Sequence, residues 1–414
     1  MEKIIYYQVN KDRAALAVYE GRLVEVYIEE SKTSPLVGRI YRGKVVNVLP
    51  GMQAAFVNIG LEKNAFLYVD DALPTSTDNE NKKPCITKVV APGQELLVQI
   101  LKEPGGAKGA RITTHITLPG RYLVYMPTME HIGISRKIED VRERDRLREL
   151  GEKLKPPMAG IIIRTVAEGK RNAELSWDIE MLEELWDKIN SDYKKARAPE
   201  LIHSDMEIEE RIVRDFLSED VQSLITNNKK SYEKLQQRAN SIQQGLDKVI
   251  KLEECEDIFS KNNVYKDLEV ALQSKVWLKS GGYLVFDQTE AMLVIDVNTG
   301  KYVGSTTLEE TIFHINMEAV DEIARQIRLR NAGGIIVIDF IDMESEFKRQ
   351  LVLERLTEAV KRDQMKITIV GQTPLGLVEL TRKKVRPSLE SALTHQCPRC
   401  RGAGRLIVMP VDKK

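Results

Sequence analysis

Two strand-like runs, Met292–Ile295 and Ile335–Ile338, each lead straight into an aspartate, Asp296 and Asp339. Further apolar runs at 283–288 and 366–372 accompany them, and amphipathic helical patterns fill 311–330 and 345–363. Nearly continuous apolar strands separated by such helices constrain residues 276–391 to a sheet covered by helices. A carboxylate that ends a buried strand is costly unless something offsets its charge. Two of them on neighbouring strands repel unless a cation lies between. Hard oxygen ligands in a partly open site suit Mg²⁺ or Mn²⁺, and such an ion can polarise a phosphodiester and activate water. Side chains alternate along a strand, so Asn298 shares a face with Asp296 and is a natural orienting partner. Asp342 is expected to cap the helix that follows, and Asp287 and Glu290 are outer candidates. The competing reading is that both aspartates cap strand ends by bonding loop amides. Spacing alone leaves the two readings level.

The chain has 414 residues, too many for one ordinary core, and is expected to form roughly two to four modules. Its 62 basic and 62 acidic residues cancel, so any affinity for nucleic acid must come from local charge. The basic stretches are Lys102 to Arg121 and Arg382 to Arg386, each of which is a solvated face on the plainest reading. No apolar segment is long enough to span a bilayer. The opening Met1–Ile5 runs into a strand pattern without the features of a signal peptide, which points to the cytoplasm. Four cysteines are too few and too uneven for a secreted disulfide framework.

Before residue 276 the pattern changes several times. Residues 1–35 read as three short strands that need a later partner to make a domain. Residues 36–117 give strands near 39–48, 53–59 and 64–69 and two more later, with an exposed loop expected at 74–84. Five short strands with this punctuation suit a small closed barrel of the OB type. Residues 118–208 mix strands with helices near 139–153 and 171–195. Residues 209–275 read as helical scaffold, including a helix over 231–250.

The stretches GGYLVFDQTEAMLVIDVNTG (281–300), EAVDEIARQIRLRNAGGIIVIDFIDM (318–343) and CPRCRGAGR (397–405) together closely resemble the ribonuclease E/G family, in family order along essentially the whole chain. The resemblance implies an α/β multidomain protein. An RNase H-like scaffold (1–35 with 209–275) would be interrupted by an S1-type barrel (36–117) and a 5′-sensor module (118–208). A DNase I-like catalytic module (276–391) and a zinc-link with tail (392–414) would follow. The family's two metal-binding aspartates match Asp296 and Asp339, and its supporting asparagine matches Asn298. The implied activity is metal-dependent endonucleolytic cleavage of single-stranded, A/U-rich RNA in RNA processing and mRNA decay, with 5′-phosphate and 3′-hydroxyl products.

For RNA binding, Phe56 and Phe66 lie near barrel strand ends, with Lys108 and Arg111 on a later segment. Aromatic faces stack on unpaired bases and cations follow phosphates, although a lone Phe on a strand is usually core. The resemblance assigns Phe56, Phe66 and Lys108 to RNA. Arg164 and Thr165 end a strand with a guanidinium beside a hydroxyl, a pair suited to a terminal phosphate. The resemblance matches them to a 5′-monophosphate sensor, with Arg136 as an outer member. Without it, Arg164 is an ordinary ion-pair residue. Arg325, Arg328 and Arg330 could steer phosphates or pair with Glu318, Asp321 and Glu322 at helical spacing.

Cys397 and Cys400 form half a zinc site, since structural zinc takes four ligands. Two such pairs sharing one Zn²⁺ across a two-fold axis complete it, and the resemblance implies the same link between protomers. A redox pair and a stray chaperone-type zinc repeat are the alternatives. Family members continue into a small domain beyond this motif, whereas this sequence ends at Lys414. A homodimer is therefore expected rather than a tetramer. The lack of a long tail places the chain nearer the G than the E branch. The competing functions are a non-catalytic S1-type RNA-binding protein and a DNA nuclease.

Overall fold

The computed structural model describes every residue except 1–2, 11–12, 31–35, 73–84, 105–107, 205–207, 219, 243–244, 290, 301–306, 385, 401, 403 and 405–414, and the side chain of residue 30. The expected loop at 74–84 and the outer candidate Glu290 lie outside the described residues. The chain divides into two compact units, one formed by residues 33–217 and the other by residues 1–32 with 218–414. Among the described residues no helix is long and apolar enough to cross a membrane.

The chain opens with the antiparallel strands β1 (Lys3–Gln8), β2 (Arg13–Glu20) and β3 (Arg22–Glu30). The chain then enters the other unit with β4 (Ile40–Leu49), β5 (Ala54–Asn58), β6 (Ala65–Tyr68), a short α1 (Ile86–Val89), β7 (Glu95–Lys102) and β8 (Arg111–Thr113). Their order is β4-β5-β6-β8-β7, and β7 pairs back onto β4 to close a five-stranded barrel. This is the OB-type closure expected from the strand spacing. Alternate residues, among them Val45, Ala55, Val57, Ala65, Leu67 and Ile112, fill its interior, so their neighbours in sequence point outward.

A second sheet in this unit has the order β11-β12-β10-β9, built from β9 (Leu118–Pro119), β10 (Leu123–Met126), β11 (Ile132–Ile134) and β12 (Gly160–Ile163). Helices α2 (Val141–Leu154) and α3 (Asn172–Lys195) bury Leu147, Leu175, Ile179 and Leu182 in the same core as Leu123, Ile161 and Ile163. β13 (Glu200–His203) joins β4 on the barrel, and α4 (Ile208–Asp215) ends the unit. The two helices fall close to their expected limits.

Residues 218–275 correct the helical reading. β14 (Ser223–Thr226) and β15 (Ile250–Leu252) are strands, and they lie parallel to β1 and to each other. The expected helix over 231–250 is α5 (Lys229–Ile242), after which Gly245 takes a left-handed conformation before β15. Four- and three-residue strands are too short to show alternation, so the surrounding helical pattern masks them. The resulting order β15-β14-β1-β2-β3 supplies the partner that the opening meander needs. Helices α6 (Ile258–Lys261) and α7 (Val264–Leu272) pack Phe259, Val264 and Leu268 against Ile5 and Ala17.

The last sheet has the order β16-β17-β18-β19-β21-β20, from β16 (Lys275–Trp277), β17 (Tyr283–Gln288), β18 (Met292–Asn298), β19 (Gly334–Asp339), β20 (Ile367–Gln372) and β21 (Val378–Arg382). Only β18 and β19 are parallel neighbours; the other pairings are antiparallel. Leu284, Phe286, Leu293, Ile295, Ile336 and Ile338 turn one face into a core with α8 (Leu308–Leu329) and α9 (Glu346–Val360). The other face carries the half-buried Val294 and Val337 and the exposed Asp296 and Asp339. A last short helix, α10 (Leu389–Leu393), precedes the cysteine pair.

Candidate functional site

The parallel pairing of β18 with β19 runs from Met292 with Ile335 to Asp296 with Asp339. The two aspartates are therefore direct partners on neighbouring strands, which lie about 4.8 Å apart, and their side chains leave the sheet on the same side. Asn298 donates its amide to Asp296 Oδ2 at 2.7 Å, as the alternation implied. Partial burial, and then the negative charges of Asp296 and Asp342, lift the Asp339 carboxyl above its ordinary range. Like charges this close disfavour joint ionisation, and a divalent cation removes that penalty. Among the described residues no group of three or more His, Cys, Asp or Glu side chains is arranged to hold an ion. A two-carboxylate set fits Mg²⁺, which keeps several waters and takes substrate oxygens as further ligands.

The helix cap expected at Asp342 is a misreading. Ser345 is the N-cap of α9 and accepts from Lys348 N, while Asp342 stays exposed three residues upstream. Asp287 pairs with Val294, two residues further from the carboxyl end of β18 than Asp296, whose partner is Val285. The arginines of α8 and its C-cap, Arg330, are occupied. Arg325 binds Glu322, Arg328 binds Glu20 and Glu25, and Arg330 binds Gln326 and the Gln273 carbonyl. Of the three carboxylates expected as partners, only Glu322 is used; Asp321 binds Arg355, and Glu318 accepts backbone N–H groups of Lys279 and Ser280.

In the unit of residues 33–217, Phe56 and Phe66 are register partners on β5 and β6, with ring centroids 5.5 Å apart. Both are half-buried on the outside of the barrel, so the core reading fails for both. Tyr68, which the sequence reading passed over, continues the row 4.5 Å beyond Phe66. Its period-two spacing from Phe66 was the available signal. Arg111 lies 4.8 Å above the Tyr68 ring and forms an ion pair with Asp71 at 2.8 Å. Lys108 is exposed just before β8.

β11 and β12 are parallel, with Ile134 beside Ile163, so Ser135–Arg136 and Arg164–Thr165 emerge side by side from the same sheet end. The hydroxyls of Ser135 and Thr165 are 2.8 Å apart. Arg136 is exposed. Arg164 donates to the Gly120 carbonyl at 2.6 Å and pairs with Asp215 at 2.9 Å, and its side chain keeps 29% exposure. Burial opposes ionisation of Asp215, but Arg214 and Arg164 outweigh it and hold the carboxyl below its ordinary range.

Cys397 is exposed and Cys400 half-exposed. Hydrogen bonds from the Cys400 and Arg399 backbone, then from the Cys400 side chain, pull the Cys397 thiol below its ordinary range. That environment favours the thiolate a metal requires. It supplies two ligands, which is half of a structural zinc set.

The model of the Ribonuclease E/G family matches residues 117–385, well over half of the chain. Ribonuclease G of Haemophilus influenzae is 44% identical over 404 residues, covering 96% of this chain and 82% of that protein. Ribonuclease G of Escherichia coli (strain K12) is 43% identical over 391 residues, covering 93% and 80%. Ribonuclease E of a Nostoc species is 40% identical over 380 residues, covering 90% of this chain and 55% of that longer protein. By family model and by identity over most of its length, the chain belongs to the ribonuclease E/G family.

Proposed function

We propose that the protein is a metal-dependent endoribonuclease that cuts single-stranded, A/U-rich RNA in RNA processing and mRNA decay, acting in the cytoplasm. The pairing of Asp296 with Asp339 on the open sheet face carries this reading. With Mg²⁺ or Mn²⁺ bound, the centre gains Lewis-acid chemistry at the phosphodiester. Asp296 and Asp339 hold the ion, and Asn298 fixes the orientation of Asp296. Water is the nucleophile: it attacks phosphorus, the P–O3′ bond breaks and O3′ leaves with a proton, so the products carry a 5′-phosphate and a 3′-hydroxyl.

The other assignments belong to the same reading. Phe56 and Phe66 offer ring faces to unpaired bases, with Lys108 and Arg111 near the phosphates. Arg164 and Thr165, with Arg136 at the rim, receive a 5′-monophosphate. Strand order β15-β14-β1-β2-β3 supports an RNase H-like scaffold of residues 1–35 and 209–275. The barrel (36–117) serves as the S1-type domain, 118–208 as the 5′-sensor module and 276–391 as the DNase I-like catalytic module. Cys397 and Cys400, in the 392–414 segment, share one Zn²⁺ with a second copy to give a homodimer.

The test is incubation with a 5′-monophosphorylated single-stranded RNA, with and without Mg²⁺, and mapping of the product ends. Mg²⁺-dependent internal cuts with 5′-phosphates, and an intact DNA oligomer of the same sequence, are the expected result. RNA binding without products would replace this reading with the non-catalytic one, and equal digestion of DNA would replace it with a DNA nuclease.

A further inference from the structure

The open face of the six-stranded sheet continues beyond the aspartates. Tyr283 on β17 is the register partner of Asn298, and Trp277 on β16 is the partner of Tyr283. In the adjoining row Val285 partners Asp296, and Lys275 partners Val285. Partners across a sheet share a face. The rows Asn298–Tyr283–Trp277 and Asp296–Val285–Lys275 therefore run side by side from the carboxylates to the sheet edge. Strand spacing puts Trp277 about 10 Å from Asn298 along this face.

The three outer side chains form one cluster. The rings of Trp277 and Tyr283 have centroids 5.3 Å apart at 61°. The Lys275 ammonium lies 4.3 Å from the Trp277 centroid and 3.5 Å from that of Tyr283. The hairpin beneath is firmly held. Leu278 N donates to the Gly282 carbonyl, and Glu318 of α8 accepts from Lys279 and Ser280 in the turn. A Cβ at Gly300 would come within 2.3 Å of the Gly281 carbonyl oxygen, so the loop leaving β18 packs tightly on this turn. The aromatic pair is thus fixed relative to Asn298.

Hairpin stability alone does not account for the outermost residue. Trp277 leaves 56% of its surface in water, whereas tryptophan is among the more deeply buried residues on average. An exposed ring on a rigid strand, with a cation beside it and a phosphodiester site on the same face, is the arrangement that binds unpaired nucleotides by stacking and charge.

We propose that Trp277, supported by Tyr283 and Lys275, is a base-stacking platform for the RNA nucleotide adjoining, or next but one to, the scissile phosphodiester. The Trp277 ring takes the base and the Lys275 ammonium faces a neighbouring phosphate. Stacking accepts any base, so the platform positions the strand across the aspartates without selecting its sequence. The inference rests on the endoribonuclease reading above.

The test uses the full chain and a short 5′-phosphorylated RNA with a single known cut. An abasic ribose is placed at each position in turn. Cleavage is followed in Mg²⁺ and binding in EDTA, for wild type, Trp277→Ala and Trp277→Phe. Trp277→Ala is expected to lose about tenfold in kcat/KM and in affinity, while Trp277→Phe stays within about threefold of wild type. One abasic position within two nucleotides of the cut is expected to weaken wild type, with little further effect in Trp277→Ala. If wild type cuts and Trp277→Ala matches it, or if every abasic penalty is the same in both, the platform is wrong and the nuclease reading stands. If wild type neither binds nor cuts, the nuclease reading falls and takes the platform with it. A Trp277→Ala variant with altered sedimentation and unaltered RNA affinity would assign the ring to a protein contact and overturn the proposal.

Discussion

Asn298 holds Asp296 by a 2.7 Å hydrogen bond between side chains two residues apart on one strand. The bond fixes one carboxylate beside its partner Asp339. Partners that orient metal-binding carboxylates typically contribute about 10–100-fold to affinity or activity. Asn298→Ala should therefore need about tenfold more Mg²⁺ for half-maximal cleavage, with the melting temperature in EDTA unchanged. An unshifted Mg²⁺ titration would remove Asn298 from the site.

Asp339 faces two like charges, Asp296 and Asp342. The metal-free protein bears that repulsion, and bound ion relieves it. Asp339→Asn should abolish cleavage and leave RNA binding in EDTA largely intact. It should also melt at or above the wild-type temperature in EDTA, yet lose the rise that millimolar Mg²⁺ gives wild type. Thermal scans of both proteins with and without Mg²⁺ check this. A variant that still cut RNA at a near-normal rate would defeat the assignment.

What could be read from the sequence depended on length and periodicity. The runs ending at Asp296 and Asp339 were long and apolar, so their strands, and the side shared by Asn298, followed from alternation. The direct pairing of Asp296 with Asp339 did not, because register depends on the whole sheet. Short β14 and β15 vanished into the helical pattern around them, and the Asp342 cap was misplaced because Ser345 lies nearer the helix. Trp277 lay outside every expected motif. Its meaning comes from two cross-strand pairings, and a linear reading contains no such information.

The pairing of Arg164 with Asp215 gives an acid-stability prediction. The folded Asp215 carboxyl lies below its ordinary value, with Arg214 and Arg164 outweighing the effect of burial. A depressed carboxyl stabilises the fold above its unfolded pKa, about 3.9, and that contribution is lost as pH falls through the folded value. The gap in urea midpoint between wild type and Asp215→Asn should stay constant from neutral pH to about 5 and shrink below about 3.9. A gap that widened in acid would reverse the sign. Separately, Arg164→Ala should lose any preference for a 5′-monophosphate over a 5′-hydroxyl RNA, measured as the ratio of cleavage rates.

The Cys397 and Cys400 thiols are half of a tetrahedral set. A zinc-linked pair of chains should therefore contain about half an equivalent of Zn²⁺ per chain. Cys397→Ser should lose the metal and turn dimer into monomer in sedimentation. Dimerisation that survives complete chelation would uncouple assembly from these cysteines.

The sheet that carries the aspartates is secured from the far side by Arg382 and Asp363, whose side chains are 4% and 2% exposed and lie 2.8 Å apart. Arg382 also donates to Asn331 Oδ1 and the Ala332 carbonyl, both at 2.9 Å. It thus joins β21 to the turn after α9 and to the entry of β19, the strand that ends at Asp339. Removing one member of a buried pair leaves the other charge without compensation and costs about 3–5 kcal/mol. Replacing both with apolar residues of similar size removes that penalty. Arg382→Met and Asp363→Leu should each destabilise by about 3 kcal/mol or more, and the double variant should be less destabilised than their sum. Urea melts of the three variants measure the coupling. Simple additivity would mean that solvent reaches the pair, and the position of β19 would then depend on its apolar core alone.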